Sequence, residues 1–211
     1  MSRRGDLARI ALIEAAEQLF AERGSRVCRS ATSRGGGAAQ PLGRAYHFVD
    51  RAGLVAAVYE HRMRLVDERR RDLIDAIERD VPEGDRLERL VEATIRPLVE
   101  VVDETDGWYA RFLVRTRWDA FARQVLADLP ALTSFRRAVE LIAAELDGPL
   151  WARLDRIDQM ATLFIGTIAG WEWRRHDRER AHETDALTAD LTATCLAVLT
   201  ARVCVPDRSS P

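Results

Sequence analysis

The chain has 211 residues, enough to bury a core as one large domain or two small ones. Its formal net charge of −2 supplies no global attraction to nucleic acid or membrane, so any DNA contact must come from a local patch. Its three cysteines, Cys28, Cys195 and Cys204, are odd in number and form no CxxC pair, which argues against a disulfide framework or a zinc site.

Aliphatic and Ala content is high, 31% of residues are charged, and β-branched residues never alternate over a strand-length run. These features predict an all-α protein. Every basic residue is Arg, which suggests a GC-rich coding sequence. Arg3 and Arg4 lead straight into an amphipathic helix, so no secretory leader is expected. The most apolar run, Met160 to Trp171, is too short and interrupted to span a bilayer. A cytoplasmic, reduced protein without a membrane partner is expected.

The first helix is predicted from about Asp6 to Arg23. Leu12, Ala16, Leu19 and Phe20 fall on one stripe, and Gly24 supplies a stop. Ser25 to Ala45 breaks this pattern. Gly35-Gly36-Gly37 and Pro41 oppose helix, and no apolar stripe runs through the segment. The three glycines lack the GK[ST] that a phosphate loop requires. Poor order is expected there.

Next comes Tyr46-His47-Phe48, and then Asp50, a good N-cap for a helix with apolar residues from Leu54 onward and an end near Arg79. Its charges from Asp67 to Asp72 are expected to form a solvated face. A helix to about Glu104 contains Pro97, a candidate kink, and Gly107 marks a break. Trp108 to Leu126 reads as one helix. Pro130 opens another and Gly148-Pro149 closes it. Two apolar helices follow, Ile157 to Arg175 and Thr184 to Val203, before a tail from Pro206 expected to be disordered.

Two stretches resemble the tetracycline-repressor (TetR) family of transcriptional regulators. Arg9-Ile10 and Ala15 to Gly24 are similar to that family's first helix. Tyr46-His47-Phe48, Asp50-Arg51 and Leu54 are similar to the end of its recognition helix and the start of the next. The resemblance implies an N-terminal three-helix helix-turn-helix unit over residues 1–50. A C-terminal helical ligand-binding and dimerisation domain would follow over 51–205. It further implies that Tyr46, His47 and Arg51 contact DNA phosphates; Arg4 and Arg9 at the start of the first helix could extend that face.

The intervening segment has the family's length without its chemistry. Codons for Cys28 to Arg34, read one base earlier, can yield Val-Ser-Leu-Arg-Asp-Ile-Ala, which is similar to the family's second helix. Codons for Ala38 to Ala45, read one base later, can yield Gln-Arg-Asn-His-Ser-Ala-Val just before Tyr46. A frame-scrambled reader is one account; a naturally degenerate loop is the other.

The aromatics Trp108, Tyr109, Phe112, Trp118 and Phe121 are the candidate ligand pocket, against the plainer expectation of core packing. Arg111, Arg115 and Arg117 are expected at the surface. Leu163, Phe164, Ile168 and Trp171, with Leu191, Cys195 and Val198, are candidates for a homodimer interface, because both helices carry wide apolar faces. His47, His61, His176 and His182 have no compact ligand spacing, so no metal or cofactor is implied. No nucleophile motif, carboxylate pair or dinucleotide fingerprint is present, and enzyme activity is not expected. The expected function is a homodimeric regulator, most simply a repressor, released from a palindromic double-stranded DNA operator by a small-molecule effector. The alternative is a helical small-molecule-binding dimer that has lost specific DNA binding.

Overall fold

The computed structural model describes residues 3–23, 51–105, 107–127, 129, 133–176 and 183–201. Among these the chain is all-helical, with no strand. The helices are α1 (Arg3–Arg23), α2 (Arg51–Asp80), α3 (Glu83–Glu104) and α4 (Tyr109–Arg117). They continue with α5 (Ala120–Ala127), α6 (Thr133–Glu145), α7 (Leu150–His176) and α8 (Thr184–Thr200).

Helix α1 buries Ile13, Ala16, Phe20 and Ala21. Leu12 and Leu19 are only half-buried, so the stripe is rotated one residue from the expected one. Its apolar face enters the same core as the rest of the chain. Phe112 of α4 is the centre of that junction. Its ring lies 4.7 Å from Tyr59 of α2, and 6.1 Å from both Phe20 and Tyr109. Aromatic pairs at such separations contribute about 0.5–1.5 kcal/mol each beyond area burial. Tyr109 and Phe112 are therefore packing residues that hold α1, α2 and α4 together.

Helix α2 is the spine of the body and packs against α1, α3, α5 and α6. Helix α3 runs through Pro97 and lies between α2 and α8. The stretch predicted as one helix from Trp108 is broken at Trp118-Asp119. Asp119 Oδ1 accepts from the backbone N–H groups of Phe121 (2.9 Å) and Ala122 (3.2 Å), starting α5 afresh. That is ordinary N-capping by Asp, which outweighs continuation of the helix.

Gly148 has φ +101°, the left-handed conformation that glycine adopts without steric cost, between α6 and α7. Helix α7 begins at Leu150, seven residues before the expected start, and α8 packs on both α7 and α3. No helix among the described residues is long and apolar enough to cross a membrane.

Two helix starts are capped from a distance by three buried carboxylates. Glu17 of α1 accepts the Trp108 N–H at 2.7 Å, just before α4. Glu172 of α7 accepts the N–H groups of Ala110 (3.0 Å) and Arg111 (3.1 Å) within the first turn of α4. Asp67 of α2 accepts the Ser134 N–H at 2.8 Å at the start of α6. Each satisfies donors that helix geometry leaves without an intrahelical acceptor, and places negative charge at a positive dipole end.

Candidate functional site

Tyr59, Met63, Val66 and Arg70 recur at intervals of four, three and four residues, so they share one face of α2. That face forms one wall of a cavity of about 260 Å³. Helix α3 contributes Leu98, α4 contributes Leu113, α5 contributes Leu126, α6 contributes Phe135, and α7 contributes Phe164 and Ile165. At the mouth stand Arg117, Trp118, Arg123 and Asp158. Arg117 donates to Asp158 Oδ1 at 2.6 Å and to its carbonyl at 3.0 Å. The cavity is thus apolar in depth and charged at its rim.

Arg70 is the exception to the apolar interior. Its side chain is buried, with the residue 3% exposed. Nη2 donates to the Thr94 carbonyl at 3.1 Å, and the guanidinium lies 5.5 Å from the Phe135 ring centre. Nε and Nη1 are also buried but reach no hydrogen-bond acceptor. Burial pushes its pKa down to about 10, opposed by attraction to Asp67. Asp67 is itself engaged with the Ser134 N–H and with Arg71 Nη2 at 2.6 Å. The guanidinium remains charged at neutral pH, with two of its three nitrogens lacking an acceptor.

The Tyr59 and Thr116 hydroxyls hydrogen-bond beside the cavity, and Thr116 also donates to the Phe112 carbonyl at 2.8 Å. Burial raises the Tyr59 pKa above its ordinary value, so its phenol stays neutral.

A second polar junction lies where α1 meets α2 and α4. Arg62 Nε donates to Glu17 Oε2 at 2.9 Å, while Oε1 holds the Trp108 N–H. Gly107 packs against this carboxylate so closely that an added Cβ would stand 2.7 Å from Glu17 Oε1. His61, half-buried nearby, has its pKa lowered by burial and by the positive charge of Arg62.

The structure redistributes the sequence-based candidates. Of the five pocket aromatics only Trp118 lines the apolar cavity, at its mouth, where it is exposed. Tyr109 and Phe112 are core residues, and Phe121 is partly buried against the core. Trp108 stacks on the Arg111 guanidinium, 3.7 Å from ring centre to Cζ. The proposed solvated face on α2 is divided: Glu68, Arg71 and Asp72 are exposed, but Asp67 and Arg70 are buried. Arg111, expected at the surface, is largely buried in an ion pair with Glu172 at 3.0 Å.

The dimer candidates divide similarly. Phe164, Ile168, Trp171, Leu191 and Cys195 are buried within the chain itself. Only Leu163 and Val198 remain half-buried. Phe164 is a cavity residue instead. The Cys195 thiol is pushed up to about 12 by burial and packs in the core.

Tyr46 and His47, with the whole of Ser25 to Ala45, lie outside the described residues. So does the tail from Pro206. Arg4 and Arg51 occupy the first turns of α1 and α2, with side chains outside the description; Arg9 is exposed on α1.

Arg70 was the principal residue missed. Its signal was present in the sequence as a charge four residues after Val66, on the continuation of an apolar stripe. No protein-family model, curated protein or solved structure matches the chain.

Proposed function

We propose that the chain is a ligand-responsive DNA-binding regulator, with its effector in the cavity beside α2. One observation carries this reading: α2 is both the cavity wall and the helix that directly follows Tyr46-His47-Phe48. Arg51 opens α2, and Arg70 lies 19 residues further on, about 29 Å along a straight helix. A ligand touching Tyr59, Met63, Val66 or Arg70 therefore acts on the element that carries the start of the proposed reading head. The Glu17–Arg62 pair ties α1 to the same helix, so both helices flanking the segment would respond together.

The effector would act by population shift. It favours one α2 arrangement by differential affinity, and that arrangement changes the spacing of two heads on a palindrome. Pairing of the heads requires a homodimer. The outer faces of α7 and α8 are the surface for it. Gly166, Ala186, Ala193 and Ala197 are exposed on these helices, and so are the large apolar Leu150, Trp151, Leu154 and Trp173 of α7.

The glycine- and proline-rich composition of Ser25 to Ala45 favours a second reading, a ligand-binding dimer that no longer reads DNA. Titration against DNA from upstream of the chain's own gene separates the two, at two salt concentrations. A version carrying the frame-shifted pieces before Tyr46 should bind specifically, by about 10³ over non-specific DNA. The chain as written should bind weakly and lose that binding with salt. Specific binding by the chain as written would instead make Ser25 to Ala45 a working reader. Failure of both versions would leave the second reading.

A further inference from the structure

We infer that the cavity takes a small amphipathic carboxylate, its apolar body among the α3–α7 side chains and its anionic head on Arg70. This rests on the cavity serving as the ligand site proposed above, and it names the chemistry of the ligand.

A guanidinium presents five N–H donors. Arg70 uses Nη2 on the Thr94 carbonyl; Nε and Nη1 find no acceptor and are covered by neighbouring protein atoms, so a small shift of the side chain brings their three hydrogens to a ligand in the cavity. Leaving buried charged donors unsatisfied is costly, so the site gains most from a ligand bringing a negatively charged acceptor. Asp67, the nearby carboxylate on the same helix, is already held by Ser134 and Arg71. The other arginines at the cavity are weaker candidates. Arg117 is committed to Asp158, and Arg123 is exposed, where solvent screens it.

The remaining walls restrict the body of the ligand. Met63, Val66, Leu98, Phe135 and Ile165 offer no polar side-chain partner, so the body must be apolar. The volume of about 260 Å³ lies at the small end for ligand sites, which fits a medium-chain or aryl-alkyl acid.

Calorimetric titration of the whole protein, without DNA, provides the test. The probes are octanoate against octanol, and phenylbutyrate against phenylbutanol. Each acid should bind at least about tenfold more tightly than its alcohol, the value of one charge-assisted hydrogen bond. Arg70→Met should erase that preference while leaving alcohol binding within about threefold. Arg70→Lys should keep part of it, and Arg70→Gln should lose it, which guards against misfolding of a single variant checked by circular dichroism.

Equal affinity for acid and alcohol, no binding of either acid, or a preference that survives in Arg70→Met and Arg70→Gln would overturn the inference. So would loss of the preference in Arg123→Ala, which would place the anion at the rim. Acid-selective binding that never alters DNA affinity would leave the ligand class standing and count against the regulator reading alone.

Discussion

Glu172 and Arg111 form a buried pair in which one carboxylate serves both a side chain and a helix end. Glu172 Oε2 accepts from Arg111 Nε at 3.0 Å and from the Arg111 backbone N–H at 3.1 Å, while Oε1 accepts from the Ala110 N–H at 3.0 Å. Burial raises the carboxyl pKa, and these donors oppose the rise. Helix α4, which has no side-chain cap of its own at Trp108, is held in place from α7.

Removing that carboxylate strands Arg111 and two amide donors. Glu172→Ala is expected to destabilise the fold by about 3 kcal/mol, a typical result of breaking a buried pair from one side. Arg111→Ala should cost less, because the amides still satisfy Glu172. Urea unfolding of the single and double variants measures the coupling; independent, additive effects would show that the two residues do not act as a unit.

Gly107 is required by close approach rather than by backbone conformation. Gly107→Ala places a methyl 2.7 Å from Glu17 Oε1, and the carboxylate must leave either Arg62 or the Trp108 N–H. A loss of about 1–3 kcal/mol is expected. Amide exchange should accelerate in α1 before α8. Unchanged protection of α1 would show that the junction tolerates the methyl group.

Arg70→Met should melt at a higher temperature than the parent protein without ligand. It replaces a buried charge with two unsatisfied nitrogens by an apolar chain of similar length. Such replacements are neutral to stabilising, and a gain of about 1 kcal/mol is expected here. Calorimetry checks it, and a marked drop in melting temperature would mean that the Thr94 and Phe135 contacts outweigh desolvation.

His61 predicts the acid response of the α1–α2 junction. Its folded pKa is lowered, so the unfolded chain binds its proton first. The contribution to stability is complete above the ordinary value near 6.5 and is lost progressively as pH falls below it. His61→Asn should flatten the stability profile below about pH 6.5. An unchanged slope in denaturant titrations across that range would remove His61 as its cause.

Local signals carried much of the helical pattern. Leu54, Val55 and Val58 announced α2, whereas the aromatic run from Trp108 suggested one continuous helix where Asp119 starts a new one. Stripe position was less secure. In α1, Ile13 is buried in place of Leu12, because neighbours in a helix differ by about 100° and several apolar residues compete for one face.

What the sequence by itself determined is the helical class, the approximate helix boundaries and the abrupt change of chemistry over Ser25 to Ala45. Those properties depend on residues a few positions apart, through periodicity, capping and helix-breaking residues. Only the tertiary structure decided that Tyr109 and Phe112 fill the core, that Trp171 and Leu191 face inward, and that Arg70 borders a cavity. It alone joined Glu17 to Trp108 and Glu172 to Ala110 and Arg111, pairs separated by 61 to 91 residues. A polar side chain's fate depends on what lies opposite it, and for these residues the opposite wall comes from a distant helix.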